Sequence, residues 1–236
     1  MPKSRKEPAA RLNREQAVER LVEAAIRLLA EEGPTEIKAR SVAEAAQLST
    51  MAVYYHLGGL PELFQAVIDE GFRDLGRAFA GVPSSDDPVT TLFAMALATR
   101  RFAQDNPHLY DLMFGLSTRG SYRPQQTVRS GASGRSEEFQ AAYAQLVQAC
   151  IRLARSGRVR SDEDPEAIAP QLWSAVHGFV TLELGDHFAR FPDPVGQVLQ
   201  PMMVNVLIGL GDTAEVCQSS HTAAVVASRP MSANPT

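Results

Sequence analysis

Apolar residues recur every three or four positions over 13–32, with Val18, Leu21, Val22, Ala25, Leu28 and Leu29 on one stripe, which predicts an amphipathic helix. Gly33-Pro34 stops it. Two short helical stretches follow, over 38–47 and 50–56, and Gly58-Gly59 divides them from a longer helix opening at Pro61, a residue suited to a first helical position. That helix carries Leu63, Phe64, Val67, Ile68, Phe72 and Leu75. The alternating runs and hairpin turns of β-structure are scarce, so the expected fold class is all-α.

Further on, 81–88 has a linker's composition. Helices are expected over 89–104 and 107–114, then a polar, glycine-rich run over 117–135, read as mobile or interacting. The next helix, 136–156, is patterned on Phe139, Tyr143, Leu146, Val147, Cys150 and Leu153. Two more are expected over 165–189 and 194–210. The first of these, through Trp173 to Leu182, has few polar faces and must be buried on two sides. With Val195, Val198, Leu199, Met202, Met203, Val206 and Leu207 on the second, it would supply half of a four-helix interface with a second copy. The tail over 212–236 lacks periodicity and is expected to be disordered.

A net charge of −4 hides an asymmetry: residues 1–60 hold nine bases against eight acids, and the remainder fourteen against nineteen. Lys3, Arg5, Lys6, Arg11 and Arg14 against Glu7 make a basic arm, compatible with one end meeting a polyanion. No apolar run reaches the roughly 18–20 residues of a membrane helix, and the basic N-terminus has no apolar run behind it. A cytoplasmic protein without membrane attachment is expected. Cys150 and Cys217 form no CxxC or CxxH pair and are read as free thiols.

Two short helices joined by a tight turn and braced by a longer one form a helix-turn-helix arrangement, whose second short helix enters the DNA major groove. Ala43 and Ala46 allow close packing, Leu48 fills the turn, Ser49 suits an N-cap and Val53 faces inward. Residues 12–75 resemble the DNA-binding domain of the TetR family of transcriptional regulators, most closely in Ser49-TMAVYYHLGGLPEL-Phe64. The resemblance implies that Tyr55 and His56 bond the sugar-phosphate backbone and that Thr50, Met51 and Ala52 meet bases. Lys38 and Arg40 would grip phosphate, and the Ser49 cap can take one. Tyr54 matches the family's near-universal tyrosine; it would pack under the helix with its hydroxyl near phosphate, or simply close the small core. Three positions depart from the pattern: Leu57 stands for phenylalanine, Leu60 for a phosphate-touching lysine, and Gln47 for the turn glycine, which implies a left-handed or slightly different turn held by a non-glycine residue.

Trp173-SAVHG, a W-x-x-x-H-G pattern, and Asn106-PHLYDLMFG-Leu116 resemble a C-terminal class of the same family. By that resemblance the last two helices dimerise and a small-molecule effector binds between the middle helices and the Trp173 helix. Candidates on the earlier helices are Phe93, Leu97, Phe102, Tyr110, Met113 and Phe114; Tyr143, Trp173 and His177 complete the set. Tyr110 and His177 would be polar handles in an apolar lining, which favours a neutral, apolar effector.

Enzymatic alternatives find little support. His177, Glu183, Asp186 and His187 lack an HExxH pairing, and no GxSxG, GxGxxG or GxxxxGK[ST] run exists. No catalytic residue, metal or cofactor is expected. The domains expected are an arm over 1–11, a helix-turn-helix unit over 12–60, an effector-binding and dimerisation bundle over 61–211, and the tail. The function expected is a homodimeric, ligand-responsive regulator binding double-stranded DNA, a repressor released from a near-palindromic operator. A helical interaction module without DNA binding is the alternative.

Overall fold

The computed structural model describes residues 13–114 and 136–228, leaving the basic arm and the polar run over 117–135 outside the described residues. Among the described residues every regular element is helical. Helix α1 (Arg14–Glu32) is opened by a capping box: the Asn13 side chain accepts the Gln16 N–H at 2.8 Å, and Gln16 Oε1 accepts the Asn13 N–H at 3.1 Å. Helices α2 (Ala39–Ala45) and α3 (Thr50–His56) follow.

Paired bonds end α2, from the Leu48 N–H to the Ala43 carbonyl at 2.8 Å and from the Gln47 N–H to the Glu44 carbonyl at 3.0 Å. That closure requires a left-handed residue, and Gln47 supplies it at φ 57°.

Helix α4 (Leu60–Ala80) packs on α1 and α3 at one end and on α5 (Pro88–Asp105), α6 (Pro107–Phe114) and α7 (Glu137–Arg155) along the rest. Gly71 allows α6 to approach closely, since a Cβ there would lie 2.5 Å from the Met113 sulfur. Helix α5 is the axis of the bundle, buried on most of its circumference and touched by α4, α6, α7, α8 (Pro165–Leu184) and α10 (Ala214–Ala227). Helix α9 (Gln200–Leu210) is entered through a π-helical turn, Val195–Leu199. None of the described helices is long and apolar enough to cross a membrane.

Two expectations are corrected. Helix α8 stops at Leu184 rather than 189, because the His187 N–H turns back to the Leu182 carbonyl at 3.0 Å with Asp186 left-handed at φ 59°. Within the tail expected to be disordered from 212 onward, Ala214–Ala227 instead form α10, and 229–236 lie outside the described residues. The buried face of α10 is Cys217, Ser220, His221 and Ala224, helical in period but built of small and polar residues. Tertiary contacts hold it. Arg158 bonds Asp212 through Nε at 2.8 Å and Nη2 at 2.6 Å, Asp87 through Nη1 at 2.8 Å, and Ser220 at 3.3 Å. Three loops and α10 are thereby joined. Burial opposes ionisation of Asp87, but hydrogen bonds from Ser220, Thr90 and the Val89 N–H, with the Arg158 charge, hold its carboxyl below the ordinary value. At the far end, Arg101 donates to the Ser228 carbonyl at 2.5 Å.

Candidate nucleic-acid interface and effector site

Helix α3 buries one residue, Val53, which anchors it to the small core. Its outer surface leaves Met51 70%, Tyr54 50% and Tyr55 82% exposed. Three large, mostly apolar side chains held in water on a seven-residue helix mark a contact surface. Tyr54, half exposed, does not close the small core. Ser49 and Thr50 are exposed, while Ala52 and His56 are half-buried. Ser49 is the N-cap residue, yet its side chain makes no capping bond. The His56 ring stands edge-on to Tyr55 at 4.9 Å, with Nδ1 buried and without a partner among the described residues. Arg14 of α1 ties down the other end of α3, its Nη2 donating to the His56 carbonyl at 3.4 Å. Lys38 and Arg40 are exposed at the start of α2, with Lys38 Nζ 3.1 Å from the Glu36 carboxylate. Leu60, in place of the resembled lysine, packs half-buried against the core, as do Leu48 and Leu57.

In the bundle, rings from four helices interlock. Phe114 lies 4.7 Å from Tyr110 and 4.2 Å from His177, and Trp173 lies 4.0 Å from His177 and 5.5 Å from Tyr143, centroid to centroid. The Tyr110 hydroxyl is hydrogen-bonded to His177 Nδ1. Burial, with a smaller contribution from the Asp111 charge, raises the Tyr110 pKa, so the phenol stays protonated. Tyr110, Phe114, Tyr143, Trp173 and His177 are thus brought together. Phe93 is not among them: it faces α10, its ring 4.2 Å from that of His221. Leu97 and Phe102 are buried on α5, and Met113 is spent on the contact with Gly71.

Residues 92–206, spanning most of α5 through most of α9 and so most of these rings, match the family model described as tetracyclin repressor-like, C-terminal domain. Over these residues the chain is similar to a TetR-family C-terminal domain. Solved structures agree in fold across nearly the whole chain. RolR (NCGL1110) in complex with resorcinol is similar at a TM-score of 0.59 and 19% identity, covering 92% of this chain and 96% of its own. A protein of unknown function from Rhodococcus sp. RHA1 gives 0.67 and 22%, covering 88% and 100%. The fatty acid degradation regulator FadR from Bacillus halodurans gives 0.58 and 12%, covering 89% and 100%. None of the curated proteins compared with the chain matches it.

Two ring residues of this TetR-like cluster were missed as site candidates: Phe72 on α4, 5.9 Å from Phe114, and Phe139 on α7, 6.1 Å from Trp173. Both sat in apolar stripes that read equally well as core. Beside Trp173 a cavity of about 20 Å³ is lined by Met95, Thr99, Leu146, Val176 and Met203, among others. A larger groove of about 920 Å³ runs between α1 and α4, but it is open and flanked by Glu15, Glu19, Arg27 and Arg73. On the outside of the TetR-like domain, Leu182 of α8 is 43% exposed and Ile208 of α9 40%. A Cβ added at Gly178 or Gly209 would meet nothing within 4 Å.

Proposed function

We propose that the protein is a homodimeric, ligand-responsive DNA-binding transcriptional regulator, a repressor released from a near-palindromic operator by a small apolar effector. The observation that carries this reading is the outer surface of α3, with Met51, Tyr54 and Tyr55 presented to water and Lys38 and Arg40 exposed on the preceding helix. Thr50, Met51 and Ala52 read bases; Tyr55, His56, Lys38 and Arg40 hold the backbone, and Tyr54 lies alongside it. Two copies would join through the α8–α9 face, where Leu182, Ile208 and the two bare glycines allow close apolar contact. The two reading heads would meet half-sites about 34–36 Å apart, or a multiple.

The effector would enter the ring cluster. RolR, similar in fold, forms a complex with resorcinol, and a small aromatic suits a lining of rings. Helix α4 is the lever, since it packs on α1 and also on α5, α6 and α7. Helix α6 adds a second route, because Met113 rests on Gly71 and His108 lies beside Gly33 at the end of α1. Unequal binding to the two states by about 1–3 kcal/mol suffices. Catalysis is not part of this reading; the Glu183 carboxylate is held by Arg100 through bonds of 2.7 and 2.8 Å.

The roles are tested by substitution. Tyr55→Ala and His56→Ala should weaken binding to all duplexes alike, whereas changes at Thr50 or Met51 should alter base preference. A uniform loss from all four would refute the assignment.

A further inference from the structure

The ring cluster already holds a phenol. Tyr110 is fully buried, its hydroxyl is bonded to His177, and its ring lies 4.7 Å from Phe114 and 5.5 Å from the His177 ring. We infer that Tyr110 is an internal stand-in for the ligand, and that the effector is a neutral hydroxy-aromatic whose hydroxyl replaces that of Tyr110 on His177. This rests on the effector-responsive reading above and names its ligand class.

Three observations lead to that chemistry. The walls, Phe114, Phe139, Tyr143 and Trp173, present ring faces and edges at 4.0–6.1 Å from one another or from His177, which suits a planar aromatic guest. None of the cluster residues carries a fixed charge, so a buried carboxylate would go uncompensated. A hydroxyl can donate to Nδ1 or accept from it, matching either tautomer of the histidine. The adjoining cavity of about 20 Å³ is smaller than one benzene ring, so a guest must displace something, and of the cluster's two phenols, Tyr110 and Tyr143, Tyr110 is the one bonded to His177. Its displacement acts on α6, which touches both α1 and α4.

The test uses the full-length protein and its single tryptophan, Trp173, whose ring lies 4.0 Å from His177. Tryptophan emission is followed while phenol, toluene or benzoate is added, without DNA. Phenol should give a saturable change with an affinity at least about tenfold above that of toluene, the cost of leaving a buried partner unmade, and benzoate should be weaker still. Tyr110→Phe keeps the ring but removes the competing hydroxyl; phenol should then bind about tenfold more tightly, with its preference over toluene retained. His177→Phe should abolish that preference. Equal binding of phenol and toluene, tighter binding of benzoate, weaker phenol binding in Tyr110→Phe, or no saturable change with any probe would overturn the inference. Loss of operator binding would sink the regulator reading and leave these results standing.

Discussion

Replacing Arg158 with methionine probes how α10 is held. Arg158 keeps 18% of its side chain exposed, and the Asp212 side chain, to which it gives two bonds of 2.8 and 2.6 Å, only 3%. Methionine preserves the apolar stem but leaves the Asp212 charge buried without its cation, held by the Thr213 N–H at 2.8 Å and the Cys217 side chain. Stranding one partner of a buried pair costs about 3–5 kcal/mol. An escape caps the loss: α10 can undock, exposing Cys217, Ser220, His221 and Ala224, small side chains whose burial is worth a few kcal/mol at about 25 cal/mol per Å². The expected loss is therefore about 3 kcal/mol, or roughly 6–12 °C in Tm for a chain of this size. Urea denaturation followed by circular dichroism, at fixed protein concentration because a dimer's stability depends on it, would measure it. Adding Asp212→Asn should restore at least half by removing the stranded charge. A loss under about 1 kcal/mol, or a double variant no better than the single one, would refute the idea that this ion cluster clasps α10.

Other outcomes are expected. Gly71→Ala forces a Cβ to within 2.5 Å of the Met113 sulfur; overpacking should cost about 1–3 kcal/mol, and Met113→Ala in the same chain should relieve it, both read by urea midpoint. Gln47→Gly removes about 1 kcal/mol of left-handed strain and adds a similar or smaller unfolded-state entropy cost, so the midpoint should hold or rise, whereas Gln47→Val should lower it. His221 is fully buried, with Nε2 unpartnered among the described residues. Burial lowers its pKa from 6.5 and the Arg158 charge adds to this, against the Cys217 carbonyl, Asp212 and Asp87, which favour the proton. Its contribution is complete above about pH 6.5 and is lost as pH falls toward the lowered folded value. Proteolysis within α10 should accordingly quicken between pH 7 and 5, and His221→Leu should flatten that difference.

The helix-turn-helix was legible because its signals are local. Ser49 before α3 and Gly58 after it mark bounds that the helix observes, and Gln47 in a turn normally made by glycine predicts the positive φ found there. Helix α10 was not legible, because its buried face is cysteine, serine, histidine and alanine, and its docking depends on Arg158, more than fifty residues away. The site was half legible for a related reason. Tyr110, Trp173 and His177 stand out as polar-tipped rings in apolar helices, but helical period alone does not say which side of a buried helix each faces. Phe93, with the same pattern as its neighbours on α5, turns to α10 instead.

The measurement to make first is binding of the purified protein to its own upstream DNA, beside an unrelated duplex of equal length, at about 50 and 200 mM salt. If Lys38 and Arg40 each neutralise one phosphate in both subunits, roughly four counterions are released and affinity should fall about a hundredfold between the two conditions. Specific binding of two subunits per site with that salt dependence is the expected result. Equal binding to both duplexes, or none at the lower salt, would contradict a sequence-reading role for α3.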